Sequence, residues 1–116
     1  MASGIIPKYA SGIILTASLT SVPTGVTLRN VSLKMQGTVV CGYIEVSAPS
    51  NDATVIGTIS NSSLYPSATV YFPIWNVTSS EFMGYIDITT SGVVKTHPIA
   101  GLTGNKNTAA FVSYIN

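Results

Sequence analysis

In the stretch GYIDITTSGVVKTHP, residues 84–98, side chains with binding chemistry recur at alternate positions: Tyr85 and Asp87, then Lys95 and His97. Aromatic rings lie well against the apolar faces of sugars, while Asp, Lys and His hydrogen-bond hydroxyl or phosphate groups. These four act together only if a hairpin brings them to one face. A loop of Thr90, Ser91 and Gly92, with Gly92 left-handed, pairs Thr89 with Val93. Ile88 then faces Val94, Asp87 faces Lys95 and Tyr85 faces His97. A two-residue turn would set Ile88 against Lys95 and mix the faces, because a slip of one residue inverts a strand. The preferred register leaves one apolar face and one face carrying Tyr85, Asp87, Lys95 and His97.

The same face also reads as a solvated sheet surface with a cross-strand ion pair worth about 0.2–1 kcal/mol. That is the commoner fate of such a pattern, and a histidine before proline is more often a strand end than a ligand group. Trp75, the sole tryptophan, closes the run VYFPIW. Alternation places Tyr71, Pro73 and Trp75 on one side, with Phe72 and Ile74 on the other. Pro73 cannot donate to a ladder, so the strand lies at an edge, meets a bulge, or gives out there, leaving Trp75 beside the loop NVTSSE. Core is the usual fate of a lone tryptophan; a ligand platform or a subunit-interface anchor are the alternatives.

Signs of enzyme chemistry are sparse. The four carboxylates, Glu45, Asp52, Glu81 and Asp87, form no recognisable acid–base pair. A Cys41–His97 nucleophile pair remains open, but Cys41 sits in TVVCGYIEV, where a free thiol is usually a small buried hydrophobe. No GxSxG, HExxH or phosphate-cradling glycine loop occurs. With a single cysteine there is neither an intrachain disulfide nor a multi-cysteine metal site. Three glycosylation triplets, at Asn30, Asn61 and Asn76, arise easily in so Ser/Thr-rich a chain.

The elements positioning these residues are β-strands. The 116 residues make one domain, with 8% charged residues and a net charge of +1. That excludes the basic footprint of a nucleic-acid binder. No run reaches the roughly 18–20 apolar residues of a membrane span, so membrane insertion is not expected. The opening MASGIIPKYASGIIL lacks the continuous apolar stretch of a signal peptide. β-branched residues outnumber helix formers, and Gly, Pro, Asn and Ser clusters recur between short runs. Strands are expected over 12–19, 26–35, 38–46, 54–60, 68–74, 84–89, 93–96 and 109–115. These eight short antiparallel strands suit a small Greek-key or jelly-roll-like β-barrel or sandwich. So little charge leaves apolar surface for Ser/Thr hydroxyls to solubilise or for a partner subunit to cover.

As a whole, LYPSATVYFPIW…GYIDITTSGVV, over 64–94, resembles the C-terminal modules of bacteriophage receptor-binding proteins and tail fibres. In these a Y-P-S-like turn precedes a strand like TVYFP, followed by G-x-I-x-I…x-G-x-V. The chain is similar in length and style to the head domain of lactococcal siphophage receptor-binding proteins. The resemblance implies that residues 1–116 are a single head domain, the C-terminal piece of a longer tail protein. It implies a homotrimer at the baseplate, exposed at the virion's tail tip and joined to upstream baseplate or tail proteins. Each head would attach noncovalently, without a cofactor, to host cell-wall polysaccharide. The residues such a role would use are Trp75, Asp87 and His97, then Tyr85 and Lys95; Asp87 lies inside the resembling motif, Trp75 at its edge and His97 beyond it. The other readings are a ligand-free structural module of a virion and, last, a hydrolase of wall polymers.

Overall fold

The computed structural model describes residues 13–116. The N-terminal stretch weighed above as a leader lies outside them, as does Gly12 of the first expected strand. The strands are β1 (Leu15–Ala17), β2 (Leu19–Thr20), β3 (Thr27–Gln36), β4 (Val39–Pro49) and β5 (Thr54–Ile59), followed by β6 (Val70–Asn76), β7 (Glu81–Ile88), β8 (Val93–Pro98) and β9 (Asn105–Ile115). They form one antiparallel sheet in the order β1-β3-β4-β9-β6-β7-β8-β5-β2. The meander β6-β7-β8, with β5 returning beside β8, is a Greek key.

The two outermost strands of that order are consecutive in the chain, so the sheet curls into a nearly closed barrel. β1 pairs with β3, and β2 pairs with β5. The single strand expected over 12–19 is thus two, parted at Ser18. Its N–H donates to Ser60 Oγ at 3.0 Å rather than to a ladder, and its carbonyl accepts from Ser60 N–H at 2.9 Å. This exchange lets one short segment serve both edges. The last strand also differs, starting at Asn105 rather than at 109, within the Gly- and Asn-rich stretch GLTGNKN. There Asn105, Lys106 and Asn107 pair with Pro49, Ala48 and Ser47, and the long β4–β9 ladder overrides their turn propensity.

Alternation sends Leu33, Met35, Ile44, Ile56, Ile74, Ile86 and Val94 inward, where they are almost completely buried. The branched side chains around Ile44, Val46, Ile56 and Ile86 leave no space at the centre for even a water-sized molecule. This is a filled barrel, not a carrier with a lumen. One end is plugged by the β5–β6 connection. A single 3-10 turn, Ser62–Leu64, is capped by the Asn61 side chain and drops Leu64 fully into the core. The Tyr114 hydroxyl, buried beneath it, donates to the Leu64 carbonyl, and Asn116 Nδ2 donates to Ser63 O at 2.6 Å.

Burial holds the Tyr114 phenol well above the ordinary value of 10.0. The unfolded chain releases that proton near pH 10, whereas the folded chain retains it. The stabilisation is therefore complete below pH 10 and drains away as pH rises past it. The thermal midpoint is expected to fall steeply above that pH, and less steeply for Tyr114→Phe, which starts from a lower value because it lacks the hydrogen bond. Identical alkaline slopes for the two proteins would exclude this account.

Candidate functional site on the outer face of the barrel

With the interior full, any ligand chemistry lies outside. The hairpin of β7 and β8 takes the register set out above: Tyr85 opposite His97, Asp87 opposite Lys95 and Ile88 opposite Val94. Gly92, at φ +77°, is the left-handed residue of the loop, and its N–H donates to Thr89 O. The Tyr65 ring lies where a Gly92 side chain would go, so the LYPS turn packs directly on the hairpin loop. Ile86, Ile88, Val94 and Thr96 face inward. The outward side carries four of the five expected site residues.

Those four do not pair as the sequence suggests. Asp87 does not bridge to Lys95 directly across; it bonds His97 diagonally, with Nε2 to Oδ2 at 2.7 Å. The cause is the neighbouring ring. Tyr85 stacks on the imidazole with centroids 4.5 Å apart and planes 13° from parallel, holding His97 over the strand pair. An ionised carboxylate only accepts, so the shared proton sits on Nε2. Tyr71, on β6, meets Tyr85 edge-on at 5.9 Å and is 63% exposed. Alternation puts Tyr71 on the same side as Pro73 and Trp75 but does not reveal its part in this row. Tyr71, Tyr85 and His97 form a continuous strip of rings, with Asp87 and the half-buried Lys95 on the same face; no ion pair among the described residues includes Lys95.

Gly84 positions the strip. It pairs with Ile74 while the next pair is Trp75 with Phe82, so Met83 is an extra residue on β7. At this bulge Gly84 has φ +132°, and any side chain there would collide with the His97 carbonyl. Both Met83 and Gly84 are buried as a result, and Phe82 and Tyr85 emerge on the same outer side.

Trp75 stands apart from the other four. The strand does not end at Ile74, as expected, but runs through Pro73 to Asn76. Its ladder with β9 holds only Trp75 with Ala109 and Asn76 with Thr108, followed by Val77 N–H to Asn107 O at 2.8 Å. Backbone groups alternate sides along a strand, so Pro73 would next offer its nitrogen to β9 and has no proton to give. The ladder stops where the proline stands. Trp75 is half-buried, neither core nor free, and packs on Phe111 at 5.4 Å. Phe111 in turn packs on Tyr43 at 5.0 Å. Tyr43 donates to Glu45 Oε1 at 3.2 Å, and Arg29, the extra residue of a bulge in β3, donates from Nε to Oε2 at 3.3 Å. Burial raises the Tyr43 phenol above its ordinary value, and the Glu45 carboxylate adds to the rise.

Neither Phe111 nor Tyr43 is among the residues expected at a site, because nothing local in the sequence says that β9 lies between β4 and β6. Cys41 is exposed rather than buried, with Sγ 3.7 Å from Ser113 Oγ and no histidine beside it. Among the described residues no cluster of His, Cys, Asp and Glu could hold a metal, and no helix is long and apolar enough to cross a membrane. No protein-family model matches the chain, and no curated protein matches it.

Gly84→Ala is expected to lower the unfolding free energy by about 1–3 kcal/mol, the usual cost of forcing a side chain into such a backbone conformation. A urea denaturation midpoint indistinguishable from that of the parent protein would show that Gly84 is not what holds the bulge.

Proposed function

We propose that this chain binds saccharides noncovalently through the outer face of β6, β7 and β8. The observation that carries the reading is the strip Tyr71–Tyr85–His97, in which Tyr71 and Tyr85 lie exposed and His97 half-buried, beside the Asp87 carboxylate and with Lys95 on the same face. Flat rings offer a surface to the C–H face of a sugar, and the charged groups beside them take its hydroxyls. Asp87 and His97 already hold each other, so their geometry is set before a ligand arrives and little ordering is lost on binding. Together with the resemblance in 64–94, this supports a bacteriophage receptor-binding head that attaches to cell-wall saccharide of a host bacterium. A homotrimer would cover apolar surface around Phe82 and leave the Phe111 face open; the two rings are 62% and 67% exposed, a large apolar outlay for a domain with so few charges. Several copies on one particle would multiply a weak contact into firm attachment.

The same exposed phenylalanines favour one other reading, a structural module of a virion whose outer rings serve only assembly. Purified protein should bind host-wall saccharide in a glycan screen and run as a trimer in light scattering. Tyr85→Ala should weaken binding about tenfold, or about 1.4 kcal/mol, while leaving the fold and the oligomer intact. A monomer that binds no wall saccharide would end the proposal. Loss of the oligomer on Trp75→Ala or Phe111→Ala, without any saccharide binding by the parent, would establish the structural alternative.

A further inference from the structure

We infer that the trough along β3, β4 and β9 is a second ligand site, separate from the Tyr85 strip, that takes a saccharide bearing a carboxylate or phosphate group. The trough is shallow and open to solvent, with a volume of about 510 Å³, and is lined by Ser32, Lys34, Cys41, Tyr43, Phe111 and Ser113. Its floor is the backbone of Gly42, whose side-chain position is turned away from the trough, against the Ser32 carbonyl and the buried Leu33. Its wall is the Phe111 ring, two-thirds exposed yet braced on one side by Tyr43 and on the other by Trp75. A ring held in place from both sides is a stacking platform that loses little freedom when occupied. Ser32 and Ser113 add hydroxyls to the lining that can pair with those of a sugar.

Charge selects the ligand. Lys34 is the charged group of the lining and also lines an adjoining trough of about 310 Å³ with Gln36, Val39 and Ile14. The ion pairs among the described residues are Arg29–Glu45 and His97–Asp87, so Lys34 is unpaired there. Glu45, the nearest carboxylate along β4, is taken up by Arg29 and Tyr43 and does not line the trough. A sugar stacked on Phe111 with its acidic substituent at Lys34 satisfies both features. The inference rests on the proposed saccharide reading for the class of ligand, but not for the residues.

Cys41 supplies the test, being the chain's only cysteine, exposed, and part of the lining. Its rate of alkylation by uncharged N-ethylmaleimide is measured on the full chain with oligogalacturonate, with glucose 6-phosphate, or with a neutral cello-oligosaccharide. At least threefold slowing by one or both acidic probes, and none by the neutral one, is expected; which acidic probe protects identifies the anion. The protection should vanish in Lys34→Ala and Phe111→Ala, with folding checked by circular dichroism, and persist in Tyr85→Ala. Persistence in Tyr85→Ala separates this site from the first, even if the first binds nothing. No slowing by either acidic probe, equal slowing by the neutral one, or protection that survives both trough substitutions would overturn the inference.

Discussion

Closure of the sheet by a single chain segment is the constraint on which the rest depends. A sheet of this length has two edges, each a row of unpaired backbone donors and acceptors. Leu15–Ala17 covers one and Leu19–Thr20 the other. The switch at Ser18 works because Ser60 offers a backbone donor and a hydroxyl acceptor at the same point. Once closed, the barrel has one inner surface, and branched side chains fill it. Tyr114 and Thr96 are held inside, and the charged side chains, Cys41 and the exposed rings stand on the outer face.

The outer surface is shaped by the places where the ladder is irregular. The bulge at Met83 and Gly84 brings both Phe82 and Tyr85 outward, which plain alternation could not do. The proline at position 73 stops the β6–β9 ladder, and directly beyond it Trp75 pairs with Ala109 and leans on Phe111. The bulge at Arg29 sets a guanidinium against Glu45 and so ties up the carboxylate beside the Tyr43 ring. Each irregularity costs the sheet a regular pair and yields an oriented side chain, which is the usual use of bulges beside functional surfaces.

How much of this could be read from the chain follows from how local each feature is. The hairpin over 84–98 was fully legible, since Gly92 fixes the loop and the loop fixes the register. The diagonal Asp87–His97 bond was not, because stacking by Tyr85 decides it and pairing rules alone do not. All-β character was legible from β-branched residues and turn clusters, but the division of the first strand at Ser18 depends on Ser60, far along the chain. Trp75 shows the limit most clearly. Its place near a strand end was readable, but not whether it faced the core or the outside, and its packing partner, Phe111, arrives on the last strand through a strand order that no local pattern encodes. Cys41 was misread as buried because alternation cannot say which of two faces is inside until the barrel closes.

The two aromatic rows differ in how their rings are held, and that difference bears on what each can do. Tyr85 rests on an imidazole that a carboxylate holds in turn, so the polar network extends to the edge of the ring face. Phe111 rests on two other aromatic rings, and the nearest anchored carboxylate is turned away toward Arg29. The first row therefore presents acceptor and donor groups at its surface, suited to neutral hydroxyls. The second presents an apolar wall with one cation beside it, suited to a ligand carrying negative charge. A chain with so few charges has placed them sparingly, and the placement of Asp87, Lys95 and Lys34 on the same outer face as the exposed rings is what the proposed binding readings rest on.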